Sequence, residues 1–135
     1  MEDLPQFLQY GQVVTFAPHD RIFGIGDPVG DKPIFYVIAG LAKLEYQLAS
    51  SAFPLWVTPD NLFGLVEPLA ECGRLCEVQA RERTILYRWD LEGFYTAAGV
   101  SWELALAAIT GLTRELRILN AEFGERLGRR EEGRS

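Results

Sequence analysis

Hydrophobic and polar positions alternate in short runs over the first two thirds of the chain and then change period. Residues 12–16, 21–25, 34–38, 42–48, 53–57, 75–80 and 84–89 are rich in β-branched and aromatic side chains. Gly, Pro and Asp separate them, the rhythm of an all-β sandwich or barrel. The densest break, Gly26-Asp27-Pro28-Val29-Gly30-Asp31-Lys32-Pro33, is a cluster of turn formers. No stretch of crossover length with a helical period lies between the runs, so they predict a double-sheet roll and not a parallel α/β sheet.

After Trp89 the pattern is helical. Asp90 caps a short predicted helix through Ala98, Gly99 interrupts it, and Ser101 caps a second helix reaching about Leu127. On the second helix Ala105, Ile109, Leu112, Leu116, Leu119 and Phe123 recur at alternating spacings of four and three, a heptad seam. Glu122 with Arg126 and Glu125 with Arg129 stand four apart in the favourable acid-first order, which solvates the other faces. A helix of about 27 residues is roughly 40 Å long, longer than a small domain, so its far half needs a partner. The seam therefore predicts a homodimer through Ile109, Leu112, Leu116, Leu119 and Phe123, with docking on the chain's own sheet as the simpler alternative. The expected class is mainly β with C-terminal α: a β-roll over 1–100, a dimerisation helix over 101–127 and a polar tail over 128–135.

Composition narrows the function. The 135 residues suit one core, and 48% hydrophobic with 24% charged content is that of a globular chain. Thirteen basic against nineteen acidic residues give a formal charge of −6, which repels phosphate backbones, so direct DNA binding by this chain is not expected. No apolar run is long enough for a membrane span, and the acidic start Met1-Glu2-Asp3 lacks the look of a secretory signal. The expected location is cytoplasmic, where Cys72 and Cys76 stay thiols.

Four motifs carry a resemblance. Ile22-Phe23-Gly24-Ile25-Gly26-Asp27-Pro28, Ile34-Phe35-Tyr36-Val37-Ile38-Ala39-Gly40, Asn61-Leu62-Phe63-Gly64 and Arg74-Leu75-Cys76-Glu77-Val78-Gln79-Ala80 follow one another as they do in the cyclic-nucleotide-binding domain. The chain resembles the effector-sensing half of catabolite-activator and fumarate-nitrate-regulator proteins, without their C-terminal helix-turn-helix. The resemblance implies a jelly-roll-like double-stranded β-helix, then a short helix and a long dimerisation helix. It also implies a ligand site at Phe63, Gly64, Leu65, Arg74, Leu75 and Asn120, with a cyclic nucleotide or another small anion as the candidate effector. A short helix after Gly64 and the Arg74 guanidinium would cradle the anion. The chain departs from the family at four places. Leu65 stands for the carboxylate that takes the ribose hydroxyl, Gly73 for the proline before the arginine, Leu75 for a hydroxyl residue after it, and Leu119 with Asn120 for the helix hydroxyls. The pocket therefore reads as degenerate. Glu67, two residues beyond Leu65, points some 200° away around a helical turn and substitutes poorly.

Arg74 has an alternative role, pairing with Glu67, Glu71 or Glu77. Cys72 and Cys76 read as structural, since one distant histidine, His19, cannot complete a metal site with them. His19 reads as a loop residue without a nucleophile beside it. Gly24-Ile25-Gly26 opens no helix and is a turn, and Trp56, Trp89 and Trp102 read as packing anchors. No acid–base or nucleophile constellation is present, so a non-catalytic regulatory domain is expected. A ligand-free dimerisation or interaction scaffold is the alternative.

Overall fold

The computed structural model describes residues 11–28, 33–47 and 52–132, and the side chains of these except at 52, 53, 119 and 121–132. Eight strands form two antiparallel sheets. β1 (Gln12–Phe16), β8 (Thr84–Trp89), β3 (Ile34–Ala39) and β6 (Leu62–Phe63) lie side by side in one. β2 (Arg21–Phe23), β7 (Cys76–Ala80), β4 (Ala42–Gln47) and β5 (Ala52–Val57) make the other. Three helices complete the order: α1 (Val66–Ala70) between β6 and β7, then α2 (Leu91–Val100) and α3 (Trp102–Glu132) after β8. The expected roll with C-terminal helices is what the chain forms.

Alternation along the strands divides the core. Phe35, Val37, Leu44, Tyr46, Phe63, Cys76, Val78 and Leu86 point between the sheets, and Ile118 of α3 closes their cluster. Ile34, Tyr36, Tyr87 and Trp89 point the other way and meet Phe94, Ala97, Leu104 and Ala108 of the two helices. The side chains of β3 and β8 are thus divided between two cores, consistent with strands whose inner and outer faces are both covered. Gly40 makes the β3–β4 turn at φ +97°, and a Cβ there would fall 2.6 Å from the Arg83 carbonyl oxygen, so only glycine fits.

Several boundaries differ from the expected ones. The second run ends at Phe23 because the Gly24 N–H leaves the ladder and donates to Asp27 Oδ2 (2.9 Å). β6 was too short to show a period. Gly99 does not interrupt α2, which runs to Val100 because burial of Phe94 and Ala97 outweighs a single glycine's cost of about 1 kcal/mol. The two expected caps are in place: Asp90 Oδ1 accepts from the Gly93 N–H (2.6 Å) and Ser101 Oγ from the Leu104 N–H (3.1 Å). α3 continues through Glu132, so residues 128–132 of the expected tail are helical. Of the tryptophans, only Trp89 is a core anchor; Trp56 and Trp102 are exposed at the surface, and Cys76 is buried as expected.

Candidate functional site

Arg74 is held at the mouth of the roll by backbone pairing on both sides. The Gly26 N–H donates to the Arg74 carbonyl (2.8 Å), and the Arg74 N–H donates to the Asp27 carbonyl (3.1 Å). The Gly-Asp-Pro turn therefore fixes the position of the arginine. Hydrogen bonds from the Gly24 N–H and from Arg21 hold the Asp27 carboxyl below its ordinary range. The Arg74 side chain turns inward and is 3% exposed, with its guanidinium 4.0 Å over the Phe23 ring. Phe23 belongs to an aromatic trio with Phe35 and Phe63, whose own rings stack at 5.2 Å.

The guanidinium makes three hydrogen bonds within the protein. Nη2 donates to the Pro33 carbonyl (2.7 Å), and Nη1 donates to the Gly64 carbonyl (3.1 Å) and to Glu67 Oε1 (3.2 Å). The other Glu67 oxygen accepts from the Leu75 N–H (3.1 Å). Glu67 is 1% exposed, so the pair is enclosed. α1 is five residues long, with Val66, Glu67 and Pro68 facing in, and it closes on Glu71 at φ +56°. Glu67, expected to be a poor substitute for the ribose carboxylate, has Arg74 as its partner. Of the three acids named as alternatives, Glu67 is the one that pairs with Arg74.

A second carboxyl arrives from α3. Glu115 is 3% exposed, beside the Gly64 N–H and the Tyr46 hydroxyl, both of which favour its charged form. Burial first, then the charge of Glu67, push its carboxyl up to about 8. Burial likewise raises the Tyr46 hydroxyl, with Glu115 next, and the Cys76 thiol, with Glu67 next. Two acids, a tyrosine and a thiol thus surround one arginine.

The expected site residues divide. Phe63, Gly64 and Arg74 come together, and Leu75 takes part through its N–H while its side chain is exposed. Leu65 is buried in the helix-side core and faces no ligand position. Asn120 stands on the exposed face of α3 beside Thr113, Leu116 and Arg117, away from Arg74. A cavity of about 280 Å³ reaches Arg74 from the β1–β2 side, between Val14, Ile22, Asp27, Phe35 and Arg88. That volume is at the lower end for small-molecule sites. Glu115 and Tyr46 were missed. The signal for Glu115 was a lone acid in a second stripe, Leu104, Ala108, Gly111, Glu115 and Ile118, hidden beside the more apolar seam.

Against solved structures, the chain is similar to the catabolite activator protein of Thermus thermophilus, with TM-score 0.68 and 25% identity over 87% of this chain and 55% of that one. The fold is that of the catabolite-activator type. The heme domain of CooA from Rhodospirillum rubrum has TM-score 0.66 and 18% identity, over 90% of this chain and 86% of that one. The N-terminal domain of a transcriptional regulator from Streptomyces coelicolor has TM-score 0.58 and 23% identity, over 87% and 82%. The chain spans about half the length of the Thermus activator. No protein-family profile and no curated protein sequence matches it. In this catabolite-activator-type fold the Arg74 guanidinium is held by two backbone carbonyls and the Glu67 carboxylate.

Removing one partner of this pair should cost far more than removing both. Arg74→Met leaves the Glu67 carboxylate buried and alone, at about 3–5 kcal/mol, whereas Arg74→Met with Glu67→Leu should recover most of that loss. Urea unfolding of the four proteins in a double-mutant cycle checks this; equal losses in the single and double variants would contradict it.

Proposed function

We propose that the chain is a non-catalytic regulatory domain of the catabolite-activator type that has given up cyclic-nucleotide binding and communicates through dimerisation of α3. The observation that carries this reading is the Glu67 carboxylate on Arg74 and the Leu75 N–H. These are the donors a phosphate would use, and a bound phosphate would have to expel a buried carboxylate that already satisfies them. Leu65 and Leu75 add no polar partner for a ribose. The buried Glu115, Tyr46 and Cys76 have no access to a substrate, which speaks against catalysis.

Dimerisation is supported by α3 itself. The stripe seated on the roll is Leu104, Ala108, Gly111, Glu115 and Ile118, whereas Ile109 and Leu116 of the neighbouring stripe are 58% and 53% exposed. Ala105 and Leu112 are half-buried, and the side chains of Leu119 and Phe123 lie outside the described residues. The seam therefore does not dock on its own sheet at Ile109 and Leu116, and a second copy of the helix covers it. Trp102 and Leu106 extend the same apolar face. The acidic charge supports a domain that does not touch DNA directly, and no described helix is long and apolar enough to cross a membrane. A purely structural dimerisation scaffold is the second reading, favoured by the completeness of the Arg74 network.

Calorimetry with cyclic AMP and cyclic GMP tests the pocket. No binding tighter than about millimolar is expected, and a micromolar constant abolished in Arg74→Ala would overturn the reading. Sedimentation tests the helix. The unmodified chain should be a dimer at micromolar concentration, and Ile109→Asp with Leu116→Asp should give a folded monomer, because both side chains are exposed within one copy. A monomeric unmodified chain contradicts the dimer.

A further inference from the structure

Two consecutive turns seat α3 on the roll. At Gly111 the helix backbone touches β6: a Cβ there would fall 2.7 Å from the Leu62 carbonyl oxygen, so the residue must stay glycine for this approach. One turn later Glu115 enters the space between the sheets at the end of the same strand, against the Gly64 N–H. Glu67 faces it from α1, Tyr46 from β4, and Cys76 and Arg74 from β7 and the segment leading into it. Arg74 is the single cation among the described groups there, and it is engaged by Glu67, Gly64 and Pro33.

We propose that the Gly111–Glu115 turn is a proton-operated latch between α3 and the roll, closed while Glu115 holds its proton and released when the proton leaves. A protonated carboxyl fits the enclosed site as a neutral hydrogen-bonding group. Loss of the proton places a second carboxylate beside Glu67 with one guanidinium for both, and the path of relief is outward movement of α3, which brings Glu115 to water. The neighbouring face of α3 at Ile109 and Leu116 is exposed, so movement changes the surface offered to a partner. The carboxyl's position near 8 sets the direction: the folded value lies above the ordinary glutamate value, so the latch is firmest below the ordinary glutamate range, weakens as pH rises from there, and has lost this contribution once pH passes about 8. This inference rests on reading α3 as the output element.

The test follows the glutamate side-chain carboxyl resonances of the full chain by NMR from about pH 5.5 to about pH 9.5, with Glu115→Gln identifying the Glu115 signal. Amide exchange of residues 104–118 is measured in parallel and corrected for intrinsic base catalysis. Glu115 should titrate above about pH 7, and α3 exchange should accelerate about tenfold or more on the approach to that midpoint and level off above it. Glu115→Gln should keep the helix protected throughout. Glu67→Gln removes the like charge and frees Arg74, and should lower the midpoint by about one pH unit or more. Titration in the ordinary glutamate range, acceleration that persists in Glu115→Gln, or a midpoint unmoved by Glu67→Gln overturns the latch; the last decides alone if Glu115→Gln does not fold. Light scattering on the same samples separates the two claims. A monomer contradicts the dimer reading and leaves the latch to the titration, whereas a dimer with an unresponsive helix contradicts the latch alone.

Discussion

A guanidinium enclosed by a β-roll must be answered by an anion, because an arginine does not shed its charge and burial without a partner costs several kcal/mol. In this chain the anion is covalently supplied. Glu67 reaches Arg74 because α1 begins immediately after β6, turns its first residues inward and closes at a left-handed Glu71. The Gly-Asp-Pro turn fixes the arginine from the opposite side through two backbone hydrogen bonds. The departures at Leu65 and Leu75 are consistent with this arrangement. Once Glu67 occupies the guanidinium, polar side chains aimed at a ribose and phosphate have nothing to hold.

The same enclosure shapes the long helix. α3 carries two adjacent heptad stripes, offset by one residue and hence by about 100° around the helix. One is seated on the roll, with Gly111 allowing contact with β6 and Glu115 filling the end of the cradle. The other is left with Ile109 and Leu116 facing outward. A helix seated on one side and apolar on the next links the interior of the roll to an exposed surface through one rigid element.

Much of this was legible in the sequence. The strand runs, the Asp90 and Ser101 caps and the order of the glycine motifs predicted the roll, because each rests on local chemistry that tertiary packing did not override. The elements that build the cradle were harder to see. β6 is two residues long and α1 five, too short for a period, and their form depends on contacts with β3 and Arg74. Glu67 was named among three possible acidic partners of Arg74, and only the fold selects it over Glu71 and Glu77. Glu115 was not singled out, because its stripe of alanine, glycine and an acid is less apolar than the neighbouring seam. Only the approach of the helix to β6 turns that stripe inward. Trp56 and Trp102 failed in the opposite sense: large aromatics usually anchor a core, and here they lie at the surface.

Glu67 occupies the Arg74 guanidinium and the Leu75 N–H from within the chain. A crystal structure grown from concentrated ammonium sulfate tests it most directly, since sulfate competes for any free guanidinium and backbone N–H pair. The account predicts Glu67 on Arg74 Nη1 and the Leu75 N–H, with no sulfate between them. Sulfate bound to Arg74 with Glu67 turned out to solvent would contradict it.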